Sequence, residues 1–277
     1  LSNWDAGMDM YIYGKLGNLT MTKEGINVLM TNLTGKVPPI LQRLDYIRFN
    51  GEAAGYLHDL TLTGLFHTGA GMVKTDVMMS IDEQSMSRTY SGSVASADLD
   101  LGKLLNQEKK FGKVDFNVEL KGFNYKNRYP ESYIKGIISS FEYSQYQYEN
   151  IMLDGVYKDG GFNGRLSMDD ANGSVQIDGN FNVAKTIPDF NLKASVKNLR
   201  PHDLHLSDKY ENASISLGLT ADFTGKSIDD MNGRISLDSL QLNAPDERGC
   251  FLDNLTITAG QVSGEKEVRI NSSVMRA

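Results

Sequence analysis

Apolar and polar residues alternate in short runs along most of this chain. The clearest stretch lies between Phe141 and Leu199, where Val175, Ile177, Gly179 and Phe181 alternate with Gln176, Asp178, Asn180 and Asn182. That two-residue period predicts a strand with one face buried and one in water. Phe190, Leu192, Ala194 and Val196 repeat it after Pro188. Between the runs stand Asp159-Gly160, Asn163-Gly164 and Asn172-Gly173, dipeptides that tolerate positive φ and predict tight hairpins.

The same alternation predicts strands over Tyr46–Asn50, Leu57–Phe66, Met72–Ile81 and Tyr90–Ala97. It recurs at Val114, Phe116, Val118 and Leu120, at Ile215, Leu217 and Leu219, at Ile235 and Leu237, and at Leu255 and Ile257. Leu240 with Leu242 and Val268 with Ile270 continue it. Weaker runs at Met8–Leu16, Leu19–Met21 and Ile26–Leu33 are read as strands too, giving roughly fifteen to twenty in all. Helical turns are expected in two places. Pro38-Pro39 introduces Ile40–Asp45, proline being well placed in a first turn where its missing N–H would go unpaired, and LDLGKLLN at Leu99–Asn106 has helical spacing. Tyr90–Leu105 and Phe190–Leu206, one hundred residues apart, share an order of strand followed by a Leu-rich turn, a weak internal repeat.

The expected fold is therefore all-β, a long curved mainly antiparallel sheet with a few short helical turns. No linker or compositional break appears, so residues 1–277 read as one continuous segment. Such a sheet has an apolar face and few helices to cover it. It must close on itself, pack on a second sheet, or leave the face lining a groove. Strands lie about 4.8 Å apart, so fifteen in one sheet would extend on the order of 70 Å.

The chain of 277 residues is 40% hydrophobic, with 27 Gly and 6 Pro, enough apolar material for a core and too much for disorder. The net charge of -7, without a basic block, argues against nucleic acid. Cys250 stands alone, so neither an intrachain disulfide nor a cysteine zinc site can form. The chain opens at Leu1 without an initiator Met, a leader or an apolar span, and reads as part of a longer protein.

Candidate chemistry is sparse. His202 and His205 flank Asp203 but lack a third ligand at useful spacing, and Asp169-Asp170 with Asn172-Gly173 fits a hairpin better than a calcium loop. No nucleophile elbow or phosphate-binding loop occurs, and neither an enzymatic activity nor a cofactor is expected. Sequons at Asn18, Asn32, Asn172, Asn212, Asn254 and Asn271 follow from a composition rich in Asn, Ser and Thr. Met78, Met79 and Met152 would suit an adaptable apolar wall.

YIRFNG at Tyr46–Gly51, YSGSVASADLDLGKLL at Tyr90–Leu105 and NIMLDGVYKDGGFNGRLSMDDANGSVQIDGNFN at Asn150–Asn182, followed by NLRPHDLHL, resemble the TamB/AsmA-like proteins, particularly those of Bacteroidetes. The resemblance runs from about Pro39 to the end of the chain. It implies a U-shaped β-groove, or β-taco, anchored in the inner membrane through a segment absent here and crossing the periplasm. It also implies a role in carrying phospholipids toward the outer membrane, with an outer-membrane barrel assembly protein as partner in some members. No catalytic motif belongs to that family. The acyl chains of the lipid would lie on Val114, Phe116, Val118, Leu120, Val175, Ile177, Phe181, Leu192, Val196, Ile215, Leu217, Leu219, Ile235, Leu237, Leu255 and Ile257, which are expected to share the concave side.

Two rival readings are weighed, the first of which uses the same residues. In one the apolar side is sealed in a β-sandwich or solenoid serving as a scaffold or adhesin. In the other a cleft with paired carboxylates and aromatic side chains acts on carbohydrate. Read as part of a longer protein, the chain is expected to expose unpaired strand edges near both ends and so to self-associate.

Overall fold

The structure, a computed structural model, describes residues 11–34, 37–56, 58–82, 84–85, 87–124, 131–209, 211–227, 230–244, 250–262 and 265–272. The fold is all-β: among the described residues fifteen antiparallel strands form one open sheet whose spatial order is the chain order, with three helices. The chain divides into two compact units, Leu1–Tyr148 and Glu149–Ala277.

The first unit holds β1 (Tyr11–Thr22), β2 (Tyr46–Tyr56), β3 (Asp59–Thr68), β4 (Gly71–Ile81), β5 (Arg88–Asp100), β6 (Phe111–Asn124), β7 (Glu131–Tyr143) and the start of β8 (Tyr146–Lys158). Its helices are α1 (Lys23–Thr34), α2 (Pro39–Gln42) and α3 (Leu101–Leu105). Proline stands in the first turn of α2, and α3 falls within the expected Leu99–Asn106 turn. The second unit takes the rest of β8 and then β9 (Gly161–Asp170), β10 (Gly173–Asn182), β11 (Asp189–Leu199), β12 (Ser214–Thr224), β13 (Asn232–Asn243), β14 (Cys250–Val262) and β15 (Glu265–Ser272).

Two local readings are corrected. Ile26–Leu33 lies within α1 and is not a strand. Ile26, Leu29, Met30 and Leu33 recur at three- and four-residue steps, the helical period, and Thr22 Oγ1 caps the helix by accepting from Gly25 N at 3.4 Å. Asn163-Gly164 is not a hairpin but the middle of β9, where Gly164 sits opposite Gly155 and Gly179. A Cβ at Gly164 would stand 2.4 Å from Gly155 Cα, so the site needs glycine for closeness of approach. Ser144 and Gln145, with φ of 50° and 65°, make the β7–β8 turn without any glycine signal. Residues Met8 to Met10 of the first expected strand lie outside the described residues.

The first unit concentrates its core at one end of its strands. Ile26 of α1, Leu44, Ile47, Ala70, Leu99, Leu104 of α3 and Val114 form one buried cluster, with Phe66, Val73, Phe116 and Ile138 packed against it. Lys103 Nζ fastens α3 to Asp45 Oδ2 at 2.8 Å and to Gly69 O at 3.2 Å, and Arg43 donates to Leu104 O.

The weak repeat has a structural counterpart in each unit. In the first, Asp98 (φ 55°) is the extra residue of a bulge on β5, its N–H donating to the Asp115 carboxylate, and the chain turns into α3 with Leu104 buried. In the second, Asn198 (φ 47°) is the extra residue of a bulge on β11, its N–H donating to Ser216 Oγ at 2.9 Å. The following turn closes through Leu204 N to Arg200 O at 3.0 Å and Leu206 N to Pro201 O at 2.8 Å, with Leu204 fully buried. Asp98 and Asn198, like Leu104 and Leu204, are one hundred residues apart. Both bulge residues are Asp or Asn, the non-glycine types most tolerant of left-handed backbone.

Candidate apolar binding face

Register turns the alternation of single strands into rows that cross the sheet. In the first unit one row reads Phe49, Phe66, Val73, Ser96, Phe116 and Ile138. The next reads Gly51, Gly64, Thr75, Val94, Val118 and Gly136, and the one after it Ala53, Leu62, Val77, Gly92, Leu120 and Ile134. Aromatic rings fill the space over glycines: a Cβ at Gly122 would meet Tyr90 Cζ at 2.0 Å, and one at Gly51 would meet Phe49 Cζ at 2.7 Å.

In the second unit Leu153, Leu166, Ile177, Ala194, Leu219, Leu237 and Leu255 form one row. Tyr157, Phe162, Phe181, Phe190 and Phe223 form an aromatic row, with ring centroids 5.8 Å apart for Phe162–Phe181 and 4.7 Å, stacked, for Phe190–Phe223. Between them run Gly155, Gly164, Gly179, Leu192, Ala221, Ile235, Ile257 and Ile270.

Each expected lining residue falls on these faces. Phe116, Val118 and Leu120 of the first unit are half-buried, and so are Val175, Ile177, Phe181, Leu192, Val196, Ile215, Leu217, Leu219, Ile235, Leu237, Leu255 and Ile257 of the second. Val114 differs: at 5% exposure it belongs to the helix-covered cluster, because α3 folds back over its end of β6. Sequence reasoning missed Leu153, Leu166 and, apart from Phe181, the aromatic row. Phe162, Gly164, Leu166 and Met168 alternate visibly, but treating Asn163-Gly164 as a turn cut the run.

The opposite face is mostly polar, although Met72, Met78, Tyr133 and Ile137 of the first unit and Met152 of the second are exposed on it. In the first unit it carries Lys15, Glu52, Thr63, Asp76, Ser93, Glu119 and Lys135 across successive strands, with Thr63 Oγ1 donating to Asp76 Oδ1 at 2.9 Å. In the second it carries Asp154, Arg165, Asp178, Lys193, Thr220, Ser236 and Thr256. Arg165 reaches Asp178 Oδ2 through Nε at 3.1 Å and Nη2 at 2.8 Å. Exposed pairs of this kind are worth about 0–1 kcal/mol each and mark a solvated surface.

The perturbed ionisable groups sit in loops, near strand ends or on α1 and α3. Backbone N–H groups of Lys226 and then Ser227, with the Ser227 hydroxyl, pull the Asp230 carboxyl down to about 2 in the turn after β12. The hydrogen bond from Lys103 lowers that of Asp45. His202 Nδ1 lies 3.7 Å from Asp203 Oδ1, and among the described residues no three His, Cys, Asp or Glu side chains come together to hold a metal. No described helix is long and apolar enough to cross a membrane.

This arrangement offers hydrocarbon a directionless apolar surface. About 25 cal/mol is gained for each Å² of apolar area removed from water. No family model, curated protein or solved structure matches the chain.

Proposed function

We propose that this chain is a segment of a bridge-like lipid transfer protein of the TamB/AsmA-like kind. In this reading its apolar face lines a U-shaped groove that shields phospholipid acyl chains in the periplasm, between inner and outer membranes. The observation that carries the reading is the continuity of the apolar rows within each unit, most of whose side chains stay half-buried, Phe49 and Ala221 being buried exceptions. A methylene taken from water contributes about 0.8 kcal/mol, so a tail lying on several rows gains several kcal/mol without any fixed polar contact. Because that gain has no direction, a tail slides along the rows from strand to strand while its headgroup stays hydrated. Attachment to the inner membrane and an outer-membrane barrel assembly partner belong to the same proposal.

A photo-crosslinking amino acid at Leu217 tests it, since Leu217 is half-buried in register with Val196. Lipid adducts in cells support transfer along this face, and Ile177→Asp in a folded variant should stop passage. A sealed scaffold or adhesin would give no adduct at Leu217.

A further inference from the structure

We infer that the unit Leu1–Tyr148 holds its lipid in one fixed direction, with acyl ends against the helix-covered end of the strands and a phosphate-bearing head beside Arg88. This rests on the lipid-transfer reading and adds the orientation and head chemistry of the bound molecule.

The two ends of this face are unlike. At one end α1 and α3 bury Ile26 and Leu104 over Val114, and Phe116 packs against that cluster. The bonds from Lys103 to Asp45 and Gly69 hold the cover in place, so hydrocarbon meets a stop there. Among the described residues no helix lies at the other end. Along β5 the face continues through Val94, Gly92 and Tyr90 to Arg88, which pairs in register with Ile81 and Asn124 and is exposed. Met79, paired with Tyr90, is 39% exposed, against 5% for Val114. Charge appears only here among the described residues of this face: Thr75 and Ser96, nearer the helices, are neutral hydroxyls, whereas Arg88 is charged and the Tyr90 hydroxyl beside it is hydrogen-bonded to Ser132 Oγ.

Length agrees. Val94 to Arg88 is six residues, about 20 Å at roughly 3.4 Å per strand residue. One leaflet of a bilayer's hydrocarbon core is about 15 Å, half of its 30 Å thickness. A tail lying along the strands from Val94, one row from the helix-packed Phe116, therefore ends about 5 Å short of Arg88, room for the glycerol and ester groups. The guanidinium is a bidentate donor that suits phosphate oxygens.

The test uses the whole chain and two photoactivatable phosphatidylglycerols, one with its diazirine at the last acyl carbon and one with it beside the glycerol. The tail-end probe should label near Phe116 and Val94, and the glycerol probe near Tyr90 and Ser132. Identical or reversed labelling overturns the orientation. Arg88→Gln should lower the yield of the glycerol probe about threefold relative to a diacylglycerol probe lacking phosphate, while Arg88→Lys keeps most of it. An unchanged ratio in Arg88→Gln overturns the head assignment. Absence of adducts with every probe would instead sink the lipid-transfer reading itself.

Discussion

Leu104 and Leu204 provide a matched perturbation of the repeated device, because each is the buried leucine of a turn that follows a bulged strand. Leu→Ala removes three carbons, about 2.4 kcal/mol at roughly 0.8 kcal/mol per methylene. The cavity left behind brings the measured range for such changes to about 2.7–5 kcal/mol. Leu204 has no exposed surface and Leu104 retains 7%, so about 3 kcal/mol is expected at each, slightly more for Leu204. Leu206, 53% exposed two residues away, is the control and should cost below about 0.5 kcal/mol as Leu206→Ala. Urea unfolding followed by circular dichroism, with hydrogen exchange to assign the loss to a unit, measures all three. If Leu204→Ala costs no more than Leu206→Ala, the turn after β11 is decoration and the structural equivalence to α3 is refuted.

Gly122→Val should destabilise the first unit by about 1–3 kcal/mol through overpacking, since any Cβ there meets the Tyr90 ring, and thermal unfolding would register it. Asn182 donates to Asp159 O at 2.9 Å and accepts from Ala184 N at 3.0 Å and Lys185 N at 3.2 Å. Asn182→Ala should therefore cost about 1–3 kcal/mol and speed hydrogen exchange in residues 183–187. Asp230, whose folded pKa is lowered from 3.8 to about 2, contributes stability that is complete above pH about 4 and fades as pH falls toward 2. In Asp230→Asn the urea midpoint should lose that part of its acid dependence, and an identical acid limb in the variant would contradict the assignment.

Much of the fold is legible in sequence because a half-buried strand writes its face at every second residue. Val175 to Phe181 and Phe190 to Val196 read correctly and pair with each other in the structure. Pro38-Pro39 and LDLGKLL likewise mark α2 and α3, since capping and helical spacing are local signals. Less legible are features fixed by tertiary closeness. Gly164 looks like a turn glycine and is a packing glycine, and the hairpin at Ser144-Gln145 has left-handed backbone on residues that rarely advertise it. Val114 shares the periodicity of Phe116 and Val118, yet α3 covers it, and alternation within one strand cannot report what lies above. Row composition is hidden for the same reason: register aligns Phe162, Phe181, Phe190 and Phe223 from four separate strands.

The identity between chain order and spatial order makes length a modular quantity. Inserting or deleting one hairpin adds or removes two neighbouring strands, changes the span by about 9.6 Å, and leaves each remaining side chain on its original face. Loss of a single strand would reverse the direction of all that follow. A lineage carrying such a sheet can therefore change its length by counting hairpins, without redesigning the surface they present.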